Sequence, residues 1–394
     1  MTNSDNLKKS IEELKAFWSN SNQYDIKEKA EEYIELYKTG ANSDHFTWVH
    51  PEDAPYINTD NCKAAQWGIP NQILGDIEKA KFIFGLYNPG TQMKNNEANK
   101  TTNVEDYVNK EKEAEQTVNG EHFDFESKEY SGDSNFYLEH VISNENVMSQ
   151  ELKKLYKIFK EDKNLFLIKN DKGKFKDYNS KLIEKVAYYL HAYYSKAFQK
   201  ISVDNKKSNA VKDAIGYYYN LFEKMKLVKE IVVQNNIDYD VEKEFEKAAE
   251  NIAICNVEML PYRSSNSDQV IATDWKLPSG RLAADVIVDK LLKDKNTVTV
   301  FRSFELKEGK KKFWKGFLEQ SAQQKGVDFK DIIKMPIFWF GGKQSASLSK
   351  NNVELYDSSV ENPQEKVNEA IDLLLKELKM EDFSNKLDEI IKNN

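Results

Sequence analysis

The chain alternates between two kinds of hydrophobic pattern. Near its start, Leu7, Ile11, Leu14 and Phe17 recur at helical spacing, and Ala30, Tyr33, Ile34 and Tyr37 repeat the pattern. An irregular stretch follows, Gly40 to Ile69, whose Trp48, His50, Pro51 and Pro55 read as a loop region that lines a pocket or covers the core. Four short apolar runs then predict strands: Ala80–Leu86, Asn251–Leu260, Thr297–Phe301 and Pro336–Phe340. Helices are predicted between and after them. One spans Gly280–Leu292, one carries Phe313, Trp314, Phe317 and Leu318, and a last one runs from about Pro363 to Leu378.

Strands alternating with helices imply βαβ units. Continuous apolar strands suit burial on both faces of a parallel sheet. The expected fold is therefore α/β, a mostly parallel four-stranded sheet flanked by helices, with N-terminal helices and a large helical insertion. The expected division is a helical and irregular segment over 1–70, an α/β core formed by 71–92 and 251–394, and an insertion over 93–250. The insertion opens with a polar stretch, Asn95 to Ser131, and continues with apolar stripes such as Leu182, Val186, Tyr189, Leu190 and Tyr218, Leu221, Phe222, Met225. Aromatic stripes stack bases in some proteins; at helical spacing they more often form a core between helices.

Composition narrows the function. Hydrophobic residues make up 40% of 394 and charged residues 31%, a globular balance. There is no apolar run long enough to span a bilayer and no secretory leader pattern, so the expected setting is the cytoplasm. Cys62 and Cys255 are too few for a four-thiolate cluster, and Cys255, in an apolar run, is expected as a buried thiol. His45, His50, His122, His140 and His191 show no metal-ligand spacing, so no metal and no cofactor is expected. A net charge of −8 argues against extended, sequence-blind DNA binding but leaves room for a local basic face. Lys307–Lys315 and Lys206, Lys207, Lys212 are the candidate basic groups; solvated surface is the plainer reading.

In parallel sheets ligands bind beyond the carboxyl ends of the strands. Three segments there carry candidate chemistry. The first strand ends in Gly85-Leu-Tyr87-Asn88-Pro89-Gly90, where Pro89 fixes φ, Gly90 admits close approach, and Asn88 is placed to hold a water or a substrate group. The same residues also suit an ordinary turn. In the second strand Asn256 interrupts an apolar run, either bonding neighbouring backbone or reading a ligand edge that offers both a donor and an acceptor. Arg263 and Ser264 follow it, suited to a phosphate or a backbone carbonyl. The fourth strand leads into Gln344-Ser345-Ala-Ser347-Leu-Ser349-Lys350, a loop able to follow a phosphodiester backbone or simply to be flexible.

The order of these motifs resembles that of the uracil-DNA glycosylase superfamily, and the Asn-Pro-Gly turn looks most like its mismatch-specific and thymine-DNA glycosylase branch. The resemblance covers residues 78–92 and 251–355. It implies that Asn88 positions the attacking water, that Gly85, Tyr87, Pro89, Gly90 and Asn256 surround the base, and that Arg263, Ser264, Gln344, Ser345, Ser347, Ser349 and Lys350 contact DNA. The chain departs from the family where Gln344 replaces a loop histidine, where the loop prolines are missing, and where Gly90 replaces a bulky aromatic. The implied activity is hydrolysis of an N-glycosidic bond after base flipping. Uracil, a mismatched pyrimidine and a bulky modified base of phage DNA are the candidate targets, the last with a setting in phage defence. Two alternatives remain: an inactive nucleic-acid or nucleotide-binding module of the same fold, and a nucleoside deoxyribosyl hydrolase. Neither a P-loop nor a GxGxxG run occurs.

Overall fold

The computed structural model of the chain describes residues 3–19, 24–58, 62–91, 93–113, 137–161, 163–168, 174–199, 207–265, 271–272, 276–305, 313–340 and 347–394. The chain divides into two units, the first formed by Met1–Asn144, Ile254–Gly342 and Leu355–Glu361, the second by Glu145–Ala253, Lys343–Glu354 and Asn362–Asn394.

The principal sheet has seven strands: β1 (Ile73–Leu74), β2 (Phe82–Leu86), β3 (Ile142–Ser143), β4 (Ile254–Glu258), β5 (Val298–Phe301), β6 (Ile337–Trp339) and β7 (Glu354–Leu355). They are ordered β7-β6-β5-β2-β4-β1-β3. The four long strands predicted from sequence are β2, β4, β5 and β6, and they run parallel to one another. β1 lies antiparallel to β4 and parallel to β3. The fold is thus α/β with a mostly parallel sheet, but of seven strands rather than four. The additional strands are two residues long, too short for any periodicity to register in sequence.

Side chains alternate across each strand. On one face Ile83, Cys255, Val257, Phe301 and Ile337 join a core with the helices Asn3–Ser19, Pro278–Lys293 and Trp314–Gln324. Pro278 sits in the first turn of its helix, where a missing N–H costs nothing. The N-terminal helix is tied to this layer by Ser10, whose hydroxyl donates to Asp289 at 2.5 Å, and Asp289 also pairs with Lys325 at 2.8 Å. Cys62 and Cys255 are buried free thiols.

The second unit is mostly helical, with Val147–Glu161, Ala210–Asn235, Val241–Glu250, Pro363–Lys379 and Glu381–Asn393 as its main helices. Its aromatic stripes pack on one another: Phe222 meets Phe159 at 5.5 Å and Tyr156 at 5.2 Å between ring centroids. Core packing, not base stacking, accounts for them. Glu151 is buried there, accepting from the N–H groups of Tyr189 (2.6 Å) and Leu190 (2.9 Å), and burial pushes its carboxyl up to about 8.

The expected boundaries change accordingly. Residues 93–144 of the anticipated insertion belong to the first unit, while 343–354 and the C-terminal helices, expected in the α/β core, belong to the second. Among the described residues no helix is long and apolar enough to cross a membrane.

Candidate active site

β2 and β4 run side by side with Leu86 opposite Glu258, and their pairing continues beyond the strands. The N–H of Met259 donates to Leu86 O (3.1 Å) and that of Leu260 to Tyr87 O (2.9 Å). Further on, Ser264 N donates to Pro89 O (3.1 Å) and Thr91 N to Ser264 O (3.2 Å). The Asn-Pro-Gly turn and the Pro261–Ser264 segment therefore form one double-stranded ledge at the carboxyl end of the sheet.

Asn88 fastens this ledge. Its Nδ2 donates to Ser264 Oγ at 2.7 Å, to Tyr262 O at 3.0 Å and to Pro89 O at 3.2 Å. Its two amide protons are thus directed into the protein. Among the described residues no protein donor reaches its Oδ1, on a side chain that is half-buried. An acceptor held this rigidly, with its other end pinned, suits a water or a substrate donor.

Arg263 is 1% exposed. It donates from Nε to Ile69 O at 2.7 Å and from a terminal nitrogen to Gly90 O at 3.0 Å, and it also bonds Asn71 Oδ1. The expected phosphate contact does not fit so enclosed a guanidinium; Arg263 is a strut beneath the ledge. Gly68 lies against it, since a Cβ there would stand 2.8 Å from Arg263 Cδ and 2.9 Å from the Tyr107 hydroxyl. Ser264 is likewise buried, and its hydroxyl serves Asn88 rather than DNA.

Gly85 faces the core, not a ligand. A Cβ on it would stand 2.3 Å from the ring of Phe301, and Trp314 crosses the same place, its Nε1 donating to Leu86 O at 2.7 Å. Tyr87 is also a core residue, edge-to-face with Phe313 at 5.4 Å. Pro89 is buried, whereas Gly90 is exposed and without a side chain keeps the rim of the ledge open. Asn256 is 1% exposed in the middle of β4, between Phe84 of β2 and Leu74 of β1.

The irregular stretch Gly40–Ile69 braces the ledge from behind. Asp53 accepts from the Tyr262 hydroxyl at 2.6 Å and from Ser279 N at 3.0 Å, while Tyr262 Oη accepts from His50 N at 3.0 Å. Trp18 joins through Gln72, which accepts its indole N–H at 2.7 Å and donates to Ser279 O at 2.8 Å. Burial pushes Asp53 up to about 6 and His50 down to about 4. This network fixes Tyr262, whose carbonyl receives the Asn88 amide.

A residue that the motif reading passed over stands at the end of β4. Glu258 is 3% exposed, and its Oε2 has no hydrogen-bond partner among the described residues. Burial pushes the carboxyl up to about 8, outweighing the pull of Arg302 and Arg263 in the other direction. Arg302 follows β5, its N–H donating to Gly85 O at 2.9 Å, and its side chain is exposed. The signal available in sequence was a glutamate inside the apolar run Ile254–Leu260, where a carboxylate is seldom buried unpaired.

Gln344 and Ser345 lie outside the described residues. Ser347 and Ser349 are buried in the second unit, where Asn352 donates to Ser347 O at 3.1 Å and Leu348 N to Tyr193 O at 2.8 Å. Their hydroxyls are not displayed for DNA in the manner expected. Lys350 is partly exposed and pairs with Asp372 at 2.7 Å. Of the basic groups, Lys206, Lys307 and Lys310–Lys312 lie outside the described residues, and Lys315 pairs with Glu305 at 2.5 Å.

The site therefore unites Asn88, Ser264, Arg263, Glu258 and Arg302 at the carboxyl ends of β2, β4 and β5. Successive strands leave β2 first to one side (β4) and then to the other (β5), the arrangement that opens a ligand crevice. Compared with known proteins, the chain matches no family model, no curated protein and no solved structure.

Proposed function

We propose that the chain is a monofunctional DNA glycosylase that hydrolyses the N-glycosidic bond of a uracil, mismatched or modified base after extruding it from the stack. The observation that carries this reading is the fastening of Asn88: its Nδ2 is tied to Ser264 and Tyr262, and its Oδ1 is left to orient a water. The strand order β6-β5-β2-β4 among the parallel strands supports a crevice beside that turn. A neutral amide cannot take the proton of the water, so the reaction relies on departure of the base, with the sugar passing through an oxocarbenium-like state. Water then adds at C1′. Gly90 is exposed and without a side chain, which favours a base larger than uracil; a modified cytosine of phage DNA is the candidate on this reading, with a cytoplasmic defence role.

One observation favours a second reading. A net charge of −8 suits a free nucleoside better than a duplex. The test is direct: the protein is given the same base as a free deoxynucleoside and within an oligonucleotide. Release from the oligonucleotide, with affinity falling as salt rises, is expected. Release from the nucleoside alone would replace the glycosylase by a nucleoside hydrolase.

A further inference from the structure

We propose that Glu258 is the proton donor to the departing base, an inference that rests on the glycosylase reading. Three features of its geometry lead there. Glu258 is the last residue of β4 and lies opposite Leu86, two residues before Asn88 on the adjacent strand. By alternation it shares its face of the strand with Asn256. Its Oε2 is buried with no protein hydrogen-bond partner among the described residues, an expensive state for an ionised carboxylate and a tolerable one for a neutral acid awaiting an acceptor.

The charged groups that act on it are Arg302, beyond β5, and Arg263, beyond β4. Burial outweighs both and holds the carboxyl at about 8, so the group is an acid at neutral pH. The same arginines would favour the carboxylate once the proton has left. The step balances. The C1′–N bond breaks with its electron pair going to the base, and the carboxyl proton goes to an oxygen or nitrogen of that base. Water joins its oxygen to C1′ and releases a proton, which restores the acid form of Glu258. This supplies by another route what a loop histidine would supply, at a position where this chain has Gln344.

The test compares the full-length wild type with Glu258→Gln, which keeps the shape and cannot give up a proton. Single-turnover release is measured from oligonucleotides carrying uracil and 5-fluorouracil between pH 6 and pH 9. Fluorine makes the base a better anion, less dependent on protonation. The expected result is a loss of about 10²-fold or more on uracil, a clearly smaller loss on 5-fluorouracil, and a wild-type rate that falls above about pH 8 with no such limb in the variant. Equal losses on both bases, or no loss, would overturn the proposal. Infrared difference spectra of wild type against Glu258→Gln give a readout free of activity: a carboxylate band at pH 6 would overturn it as well. A wild type that releases neither base also overturns it, while the wider panel of bases decides the glycosylase reading separately.

Discussion

The side-chain amide of Asn88 donates to the hydroxyl of Ser264 at 2.7 Å, and through that bond the turn after β2 is joined to the segment after β4. The joint sets the direction of Asn88 Oδ1. Ser264→Ala removes one acceptor and leaves the two carbonyls of Tyr262 and Pro89. A loss of about 1 kcal/mol in stability is expected from one such bond. Base release should slow more than that modest change implies, because the amide gains freedom to turn. Denaturant titration and single-turnover rates on the same preparation check both.

Tyr262→Phe tests the bracing network. It removes the hydroxyl that donates to Asp53 and accepts from His50 N, so the buried His50 N–H loses this acceptor and Asp53 loses one donor while keeping the N–H of Ser279. A destabilisation of about 1–3 kcal/mol is expected, measured as a shift of the denaturation midpoint. Rates should fall alongside, since the Tyr262 carbonyl holds the Asn88 amide.

Gly85→Ala tests the packing beneath the site. The added methyl would stand 2.3 Å from a ring carbon of Phe301, and that ring is itself enclosed by Phe304 and Trp314. Overpacking of this kind costs about 1–3 kcal/mol. Adding Phe301→Leu to Gly85→Ala should recover part of the loss. A Gly85→Ala protein as stable as wild type would show that the core relaxes freely here.

Stability should depend on pH in a defined window. Asp53, Glu111, Glu151 and Glu258 have carboxyls raised by burial to about 6, 7, 8 and 8. Each binds a proton more tightly folded than unfolded, so its contribution is complete below the unfolded pKa and is lost as pH rises through the folded one. His50, lowered to about 4, runs the other way and loses its contribution as pH falls below 6.5. Of these five groups the carboxyls act between pH 6.5 and 8.5 and His50 does not, so their combined effect is a fall in Tm. Glu258→Gln should flatten that fall; an unchanged slope would remove Glu258 from the set.

Much of this architecture was legible in the sequence. β2, β4, β5 and β6 lie in short, mainly apolar runs ended by polar turns, and the pattern marks each to within a few residues although Asn256 and Glu258 interrupt the second. The two-residue strands β1, β3 and β7 carry no pattern and owe their place to tertiary pairing. The division into units was hidden because the chain crosses between them several times. Within the site, Asn88 stood out at the tip of a turn and Ser264 as a strand-end residue suited to a phosphate or a backbone carbonyl, although Ser264 turned out to serve Asn88. Arg263 read as suited to a phosphate or a backbone carbonyl; the carbonyls of Ile69 and Gly90 and the amide oxygen of Asn71 take it, and nothing local in the sequence announces them. Glu258 was obscured by the apolar residues beside it, whose burial is what gives it an unusual carboxyl.

The most direct test of the account is base release across a panel of oligonucleotides. The panel carries uracil, mismatched thymine, hydroxymethylcytosine and glucosylated hydroxymethylcytosine, each alkali-cleaved at any abasic site, with Asn88→Ala beside the wild type. The account predicts abasic product from at least one of these bases, lowered by about 10²-fold or more in Asn88→Ala, while that variant keeps the thermal unfolding profile of a folded protein. Product that persists undiminished in Asn88→Ala, or no product from any base, would contradict it.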